Sequence, residues 1–279
     1  MISWRRCGEC RTAKGPSLSC CFRNESTGHS NCERESMIIK WYAHACLRIE
    51  GDGVSIITDP YTPQNSGFAA VTESADIVVR SSDDDSAHAN VEMIPGDPEI
   101  VTATHILSFV NGEGQGTGGF SARQPVDSSF VTRAGVRFRA IPAMESMRVK
   151  LQPRDNAMYC FEVERIRIVH FGDVGNRLEE WQLEQMGNVD VAIVPTGGPP
   201  TIELPDLHDA LDILRPAVTI PMHYDLPGCK FPRMADVSEF TQRYPPARVR
   251  TSNAPEVALN KALLPYEPQV WVLQATTAG

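Results

Sequence analysis

The stretch from Val78 to Asn90, VVRSSDDDSAHAN, sets an apolar run directly against three consecutive aspartates and then a histidine. Carboxylates packed side by side repel one another unless a cation or shared protons relieve them. Such a cluster at the mouth of a strand points either to a cation site or to a solvated turn whose aspartates accept backbone N–H groups. Other residues able to ligate metal or move protons are scattered: His44 in YAHAC, Asp59 in TDPY, Glu145 in IPAMES, His170 and Asp173 in VHFGDVG, His223 and Tyr224 in PMHYD. No GxSxG elbow accompanies them, so a serine–histidine–aspartate triad has no support. The glycine-rich segment from Asn111 to Gly119, NGEGQGTGG, lacks the Gly-Lys-Ser/Thr ending and following helix of a phosphate cradle, and reads as a flexible loop.

Positioning these groups falls to a run of strands followed by strand–helix alternation. Ile38 to Tyr42 and Cys46 to Ile49 read as short strands, EGDG as a hairpin turn, and Val54 to Thr58 as the returning strand. Further strands are expected at Ala75 to Arg80, after the MIPGDPE turn, and at Val136 to Ile141, Ala157 to Val163, Ile166 to His170 and Val189 to Val194. VTIPMHYD and PQVWVLQA complete the set. Helical segments are NRLEEWQLEQMG, MADVSEFTQRY and DLHDALDILRPA, the last with Leu207, Leu211 and Leu214 on one face and a stop at Pro216. The pattern is mixed α/β, with sheets covered by helices.

Bulk properties narrow the classes. The 279 residues carry a formal net charge of −9, and 42% of them are hydrophobic. An acidic chain of that kind lacks the basic face that nucleic acid or an anionic membrane would require. No apolar run approaches the roughly 20 residues that span a bilayer. Of eight cysteines, Cys7, Cys10, Cys20, Cys21 and Cys32 lie before residue 37, leaving Cys46, Cys160 and Cys229 in the body. The body is therefore no disulfide scaffold and suits a reducing, cytoplasmic setting. Residues 1–36 are expected to form a flexible cysteine-containing leader rather than a zinc knuckle, and residues 37–279 one domain. The expected partner is a small-molecule substrate, and the oligomeric state stays open.

In their order and spacing, WYAHACLRIEGDG, TDPY, IVHFGDVG and IPMHY resemble the metallo-β-lactamase-fold metal-dependent hydrolases, and within them the branch that includes ascorbate-6-phosphate lactonase-like enzymes. The resemblance runs from about residue 37 to the C-terminus. It implies a four-layer αβ/βα sandwich with the active site where strand ends of both sheets converge. It also implies two metal ions held by an HxHxDH motif, a lone histidine, a bridging aspartate and a final histidine. On this chain the HxHxDH positions fall on Ser82, Asp84, Ser86 and Ala87, and the lone histidine falls on Glu145. The bridging aspartate is Asp173 and the final histidine is His223, so the motif is degenerate.

The substitutions exchange nitrogen for oxygen. Asp84, Glu145, Asp173 and His223 are the expected metal ligands, with His88, one residue past the usual position, as a helper. Carboxylate oxygens suit Mg²⁺ or Mn²⁺ better than zinc. The expectation is one divalent ion (Mn, Mg, Fe or Zn) rather than a standard dinuclear zinc centre. Asp84, His88 and Asp173 are the catalytic candidates; His44, Asp59 and Tyr224 are expected to line the pocket or support ligands from behind. Hydrolysis of a small ester, lactone or phosphoester follows from such a site. Two other readings stay open: a metal-free acid–base site with pKa values driven apart, and an inactive pocket that binds a ligand or partner. His170 reads as structural.

Overall fold

Asp52 and Gly53 both take positive φ, 52° and 73°, as a two-residue Asp-Gly hairpin turn requires. They fold β2 (Cys46–Gly51) back on β3 (Val54–Thr58), with Gly51 opposite Val54. The computed structural model describes residues 36–82, 87–102, 130–145, 156–231 and 234–276. Most of the expected leader, the loop from Asn111 to Gly119, and Asp83, Asp84, Asp85 and Ser86 lie outside the described residues.

The first sheet is built on that hairpin. β1 (Met37–Ala43) pairs antiparallel with β2, while β4 (Ile77–Arg80) and β5 (Glu99–Thr102) extend β3 in parallel. A short α1 (Pro63–Ser66) follows β3. The second sheet opens as an antiparallel meander of β6 (Phe130–Arg133), β7 (Val136–Ala143), β8 (Asn156–Val163) and β9 (Ile166–His170). It continues in parallel through β10 (Val191–Pro195) and β11 (Val218–Met222). β12 (Val249–Thr251) and β14 (Gln269–Val272) finish this sheet, and β13 (Glu256–Leu259) returns to flank β1 in the first. Among the described residues the strand orders are β13-β1-β2-β3-β4-β5 and β12-β14-β11-β10-β9-β8-β7-β6.

Burial shows how the layers meet. One core cluster mixes Ile39, Trp41 and Ile56 of the first sheet with Phe138, Tyr159 and Ile220 of the second, so the sheets pack face to face. A second cluster joins Val169, Phe171 and Ala192 to Leu207, Leu211 and Phe240. These last come from α3 (Leu204–Leu214) and α4 (Val237–Thr241), which cover the second sheet's outer face beside α2 (Glu180–Met186). β10 and β11 are buried at every position, as parallel strands covered on both sides must be. The outcome is the expected mixed α/β architecture of two facing sheets. None of the described helices is long and apolar enough to cross a membrane.

The sheets are also stitched together at the carboxyl end of β4. The Tyr159 hydroxyl donates to the Arg80 carbonyl at 2.8 Å, the Ala157 amide donates to the Ser81 carbonyl at 2.9 Å, and Ser82 bridges Asn156. That end is where the parallel strands β3, β4, β9, β10 and β11 all finish. Open parallel sheets bind ligands there, beyond the strand ends.

One packing detail carries a prediction of its own. His208 on α3 stacks flat on Phe240, ring centroids 4.9 Å apart, with its Nδ1 3.4 Å from the Tyr244 hydroxyl. Burial, with the Arg243 charge second, pushes its pKa from 6.5 down to about 4. The unfolded chain therefore takes up this proton near pH 6.5, whereas the folded chain refuses it until about 4. The stabilising contribution is complete above 6.5 and is lost as pH falls through that window. In urea unfolding between pH 7.5 and 4, His208→Phe should show a shallower acid loss than the parent; identical slopes would refute the assignment.

Candidate metal centre

The site begins with a two-residue turn. β1 and β2 are joined through His44–Ala45, with Ala43 opposite Cys46, and His44 takes φ of 52°. A non-glycine residue in this region costs free energy and persists only where its surroundings hold it. Here the hold is visible: the His44 carbonyl accepts both the Trp41 indole N–H and the His223 amide, each at 3.0 Å. His223 follows β11 and has φ of 53°. Two histidine-bearing turns far apart in sequence are thereby clamped together.

His88 arrives from the segment after β4, where the Asn90 amide donates to the Pro60 carbonyl at 2.8 Å. The three imidazoles then converge. His44 and His223 lie 3.8 Å apart between ring centroids, His44 and His88 4.9 Å, and His88 and His223 5.4 Å. Their ligand atoms all fall within 4.8 Å of one another. His44 and His88 are each 2% exposed and His223 6%. Both ring nitrogens of His44 are buried without a hydrogen-bond partner, a costly state for a polar ring. Burial, then the nearby His223 and His88, hold its pKa well below 6.5. A neutral imidazole is the form that ligates metal. The donor set therefore fits a cation.

Asp173 stands beside the cluster in the loop after β9. Its Oδ1 accepts from Asn156 Nδ2 at 2.8 Å and contacts Ser81 Oγ at 3.3 Å, while Oδ2 lies 3.5 Å from His88 Nδ1. The carboxylate thus stands beside the His88 ring on its Nδ1 side. Asp59, at the end of β3, accepts the Ser81 amide at 2.6 Å, the Ser81 hydroxyl at 2.9 Å and His170 Nε2 at 2.7 Å.

The expected site residues divide accordingly. His223, Asp173, His88 and His44 come together, with His44 among the ligand-type groups rather than behind them. Asp59 reaches the site through Ser81. Tyr224 packs on Trp41, centroids 5.0 Å apart. Glu145 is half-buried and does not belong to the converging group, and Asp84 lies outside the described residues. The described donors are thus nitrogen-rich, in contrast to the oxygen set anticipated from the aspartate run. His170, read as structural, is fully buried against Asp59. Ser81 escaped notice, although its place directly after the last residue of β4 was a usable signal.

Comparison with known proteins agrees with this architecture. Over 196 residues the chain is 24% identical to the UPF0173 metal-dependent hydrolase of Thermoplasma acidophilum, covering 68% of this chain and 84% of that protein. A crystal structure from Thermotoga maritima, described as a candidate zinc-dependent hydrolase of the metallo-β-lactamase superfamily, superimposes with a TM-score of 0.63 at 26% identity. The match covers 86% of this chain and all of that one. A metallo hydrolase of Ignicoccus hospitalis shares the fold, with a TM-score of 0.50 at 19% identity over 88% of this chain and 96% of its own. The family description "Beta-lactamase superfamily domain" matches residues 38–223, two-thirds of the chain, and the protein belongs to that family.

Proposed function

We propose that the protein is a metal-dependent hydrolase that holds one divalent ion among His44, His88 and His223, with Asp173 at its side, and cleaves a small ester, lactone or phosphoester. The observation that carries this reading is the buried convergence of three imidazoles within 4.8 Å, with both His44 nitrogens unsatisfied. Imidazole donors favour zinc, iron and their neighbours, whereas Mg²⁺ demands oxygen. An ion held there supplies Lewis-acid polarisation of the scissile group and acidifies water. The chain's own residues do the rest. The three histidines supply lone pairs from three separate turns, and the carboxylate of Asp173, held by Asn156, stands beside His88 and offers an acceptor for a proton at Oδ2.

A metal-free acid–base site or an inert pocket is less consistent with this burial. Neither gives the His44 nitrogens a partner. The names of the relatives also favour metal-dependent hydrolysis over the inactive alternative. Elemental analysis of protein purified without chelator should find about one zinc- or iron-class ion per chain, and adding Zn²⁺ to stripped protein should raise its melting temperature. A chain that carries no such ion and is not stabilised by Zn²⁺, Fe²⁺ or Mn²⁺ would end this reading.

A further inference from the structure

After His223 the chain runs out through Asp225 and comes back against the imidazoles at Phe231. The Phe231 ring lies 4.6 Å from the His44 ring between centroids, tilted by 32°. Phe231 is half-buried, whereas His44 is 2% exposed. Leu226 and Cys229 of the same segment pack against the first core cluster, but Phe231 belongs to neither cluster among the described residues. Its ring partner there is His44. The segment is seated by its backbone. The Cys229 amide donates to the Leu226 carbonyl and the Lys230 amide to the Ser66 carbonyl, each at 3.0 Å. Lys230 Nζ donates to the Gln64 carbonyl at 3.2 Å, so the cation next to Phe231 in sequence is engaged at α1. Gly67, directly after α1, comes so close that a Cβ on it would stand 2.3 Å from the Gly228 carbonyl oxygen. Beyond Phe231 the Asp225 amide donates to the Ala235 carbonyl at 3.0 Å, and the Ala235 amide to the Gly197 carbonyl at 2.8 Å.

We infer that Phe231 is the apolar wall of the substrate site, and that the substrate carries an apolar, best an aromatic, group next to the bond it loses. A half-buried phenyl ring beside a dry imidazole cluster is incompletely covered. A flat apolar group set on it removes water from both surfaces, and an aromatic one adds a favourable ring–ring geometry. A charged or hydroxyl group at the same place gives up hydration without gaining a partner. Because Phe231 touches a ligand-type imidazole, the part of a substrate adjoining the scissile group is the part that meets its ring. With Lys230 already held at α1, little ordering remains to oppose the contact.

This inference rests on the metal-centre reading, and its probes separate the two. Acetohydroxamate and benzohydroxamate share one metal-binding head and differ by a methyl against a phenyl group. Each is titrated into Co²⁺-loaded protein, where the visible absorption of the ion reports binding. The parent should bind benzohydroxamate about tenfold more tightly than acetohydroxamate, the scale of one aromatic contact and the area it buries. Phe231→Ala should remove that preference while leaving the affinities for Co²⁺ and for acetohydroxamate unchanged. Phe231→Trp should restore most of it. No preference in the parent, or the same preference in the parent and Phe231→Ala, overturns the inference. A Phe231 that merely props the His44 ring gives a different result, which also overturns it: Phe231→Ala then weakens Co²⁺ and both hydroxamates together, and their ratio stays. Failure of the metal-centre reading looks different again. Co²⁺ then does not bind the parent, or binds His223→Ala equally well, and both ideas fall. Co²⁺ binding that is lost in His223→Ala, beside a preference that ignores Phe231, removes the inference alone.

Discussion

His223→Ala should abolish the stabilisation that added Zn²⁺ gives the parent protein and reduce its hydrolytic rate to background. The expected loss of affinity exceeds the roughly 100-fold that marks the upper end for partners behind a ligand, because a donor atom itself is removed. Saturation at 100 times the dissociation constant stabilises a fold by about 2.7 kcal/mol, so a loss of that size removes most of the metal-dependent shift in unfolding. His223 is the sharpest choice of the three imidazoles. Its ring lies 3.8 Å from that of His44, whereas the clamp between the two turns runs through its backbone amide, donated to the His44 carbonyl. Alanine keeps that amide. His208→Phe, on the far side of the second sheet, provides the control and should keep the full Zn²⁺ response. Thermal or urea unfolding with and without Zn²⁺ makes the comparison. Equal metal-dependent shifts in the parent and His223→Ala would mean that the imidazole cluster is a packing feature and nothing more.

The fold was legible in the sequence where a strand buries one face or both. Val54–Thr58 and Ile166–His170 have the bounds that their apolar runs suggest, and the Asp-Gly turn between β2 and β3 is local chemistry. The strands that went unread are β6, β12 and β13, all at sheet edges. Their residues are exposed or half-buried, with Leu259 the single buried position among them, so no buried apolar face marks them. Their pairing is set by neighbours distant in sequence. The helix in MADVSEFTQRY is shorter than its span because it starts only where the Asp236 side chain caps the Ser238 amide.

The site was legible in part, and the missing part was spatial. Asp173 and His223 are the positions that the resemblance of FGDVG and PMHYD supplies, Asp173 three residues past the last of β9 and His223 directly after β11. His44 could not be assigned to the cluster from sequence, because its role depends on a backbone bond to His223 that crosses the whole domain. The aspartate run drew the chemistry toward oxygen ligands, since adjacent carboxylates are conspicuous along a chain. Imidazoles contributed one at a time from three turns are not. His170 illustrates the same limit. Its distance of three positions from Asp173 suggested a side chain turned elsewhere, and it is turned elsewhere, toward Asp59, whose carboxylate also takes the Ser81 amide.

Ser81 also stands at one close approach, which yields the second large expected effect. Gly172→Ala should destabilise the protein by more than about 3 kcal/mol, in the range of severe overpacking, and should disturb the centre as well. Gly172 has φ of 58°, and a Cβ built on it would lie 2.3 Å from Ser81 Cβ and 2.6 Å from Ser81 Oγ. Ser81 Cβ is fixed to the backbone, so no rotation of the side chain relieves the closer contact. Ser81 is fully buried, with its carbonyl bonded to the Ala157 amide and its own amide to Asp59. It can retreat only by breaking the seam between the two sheets or its bonds to Asp59. Gly53 isolates the backbone component, since its φ is 73° and an added Cβ would meet nothing within 4 Å. Gly53→Ala should therefore cost about 1–2 kcal/mol, the left-handed penalty alone. The difference between the two variants in urea unfolding measures the clash. If Gly172→Ala is no worse than Gly53→Ala, and still binds Co²⁺ with the parent spectrum, then Ser81 is free to move. The tight contact between the β4 and β9 ends would then not be what holds Asp173 in place.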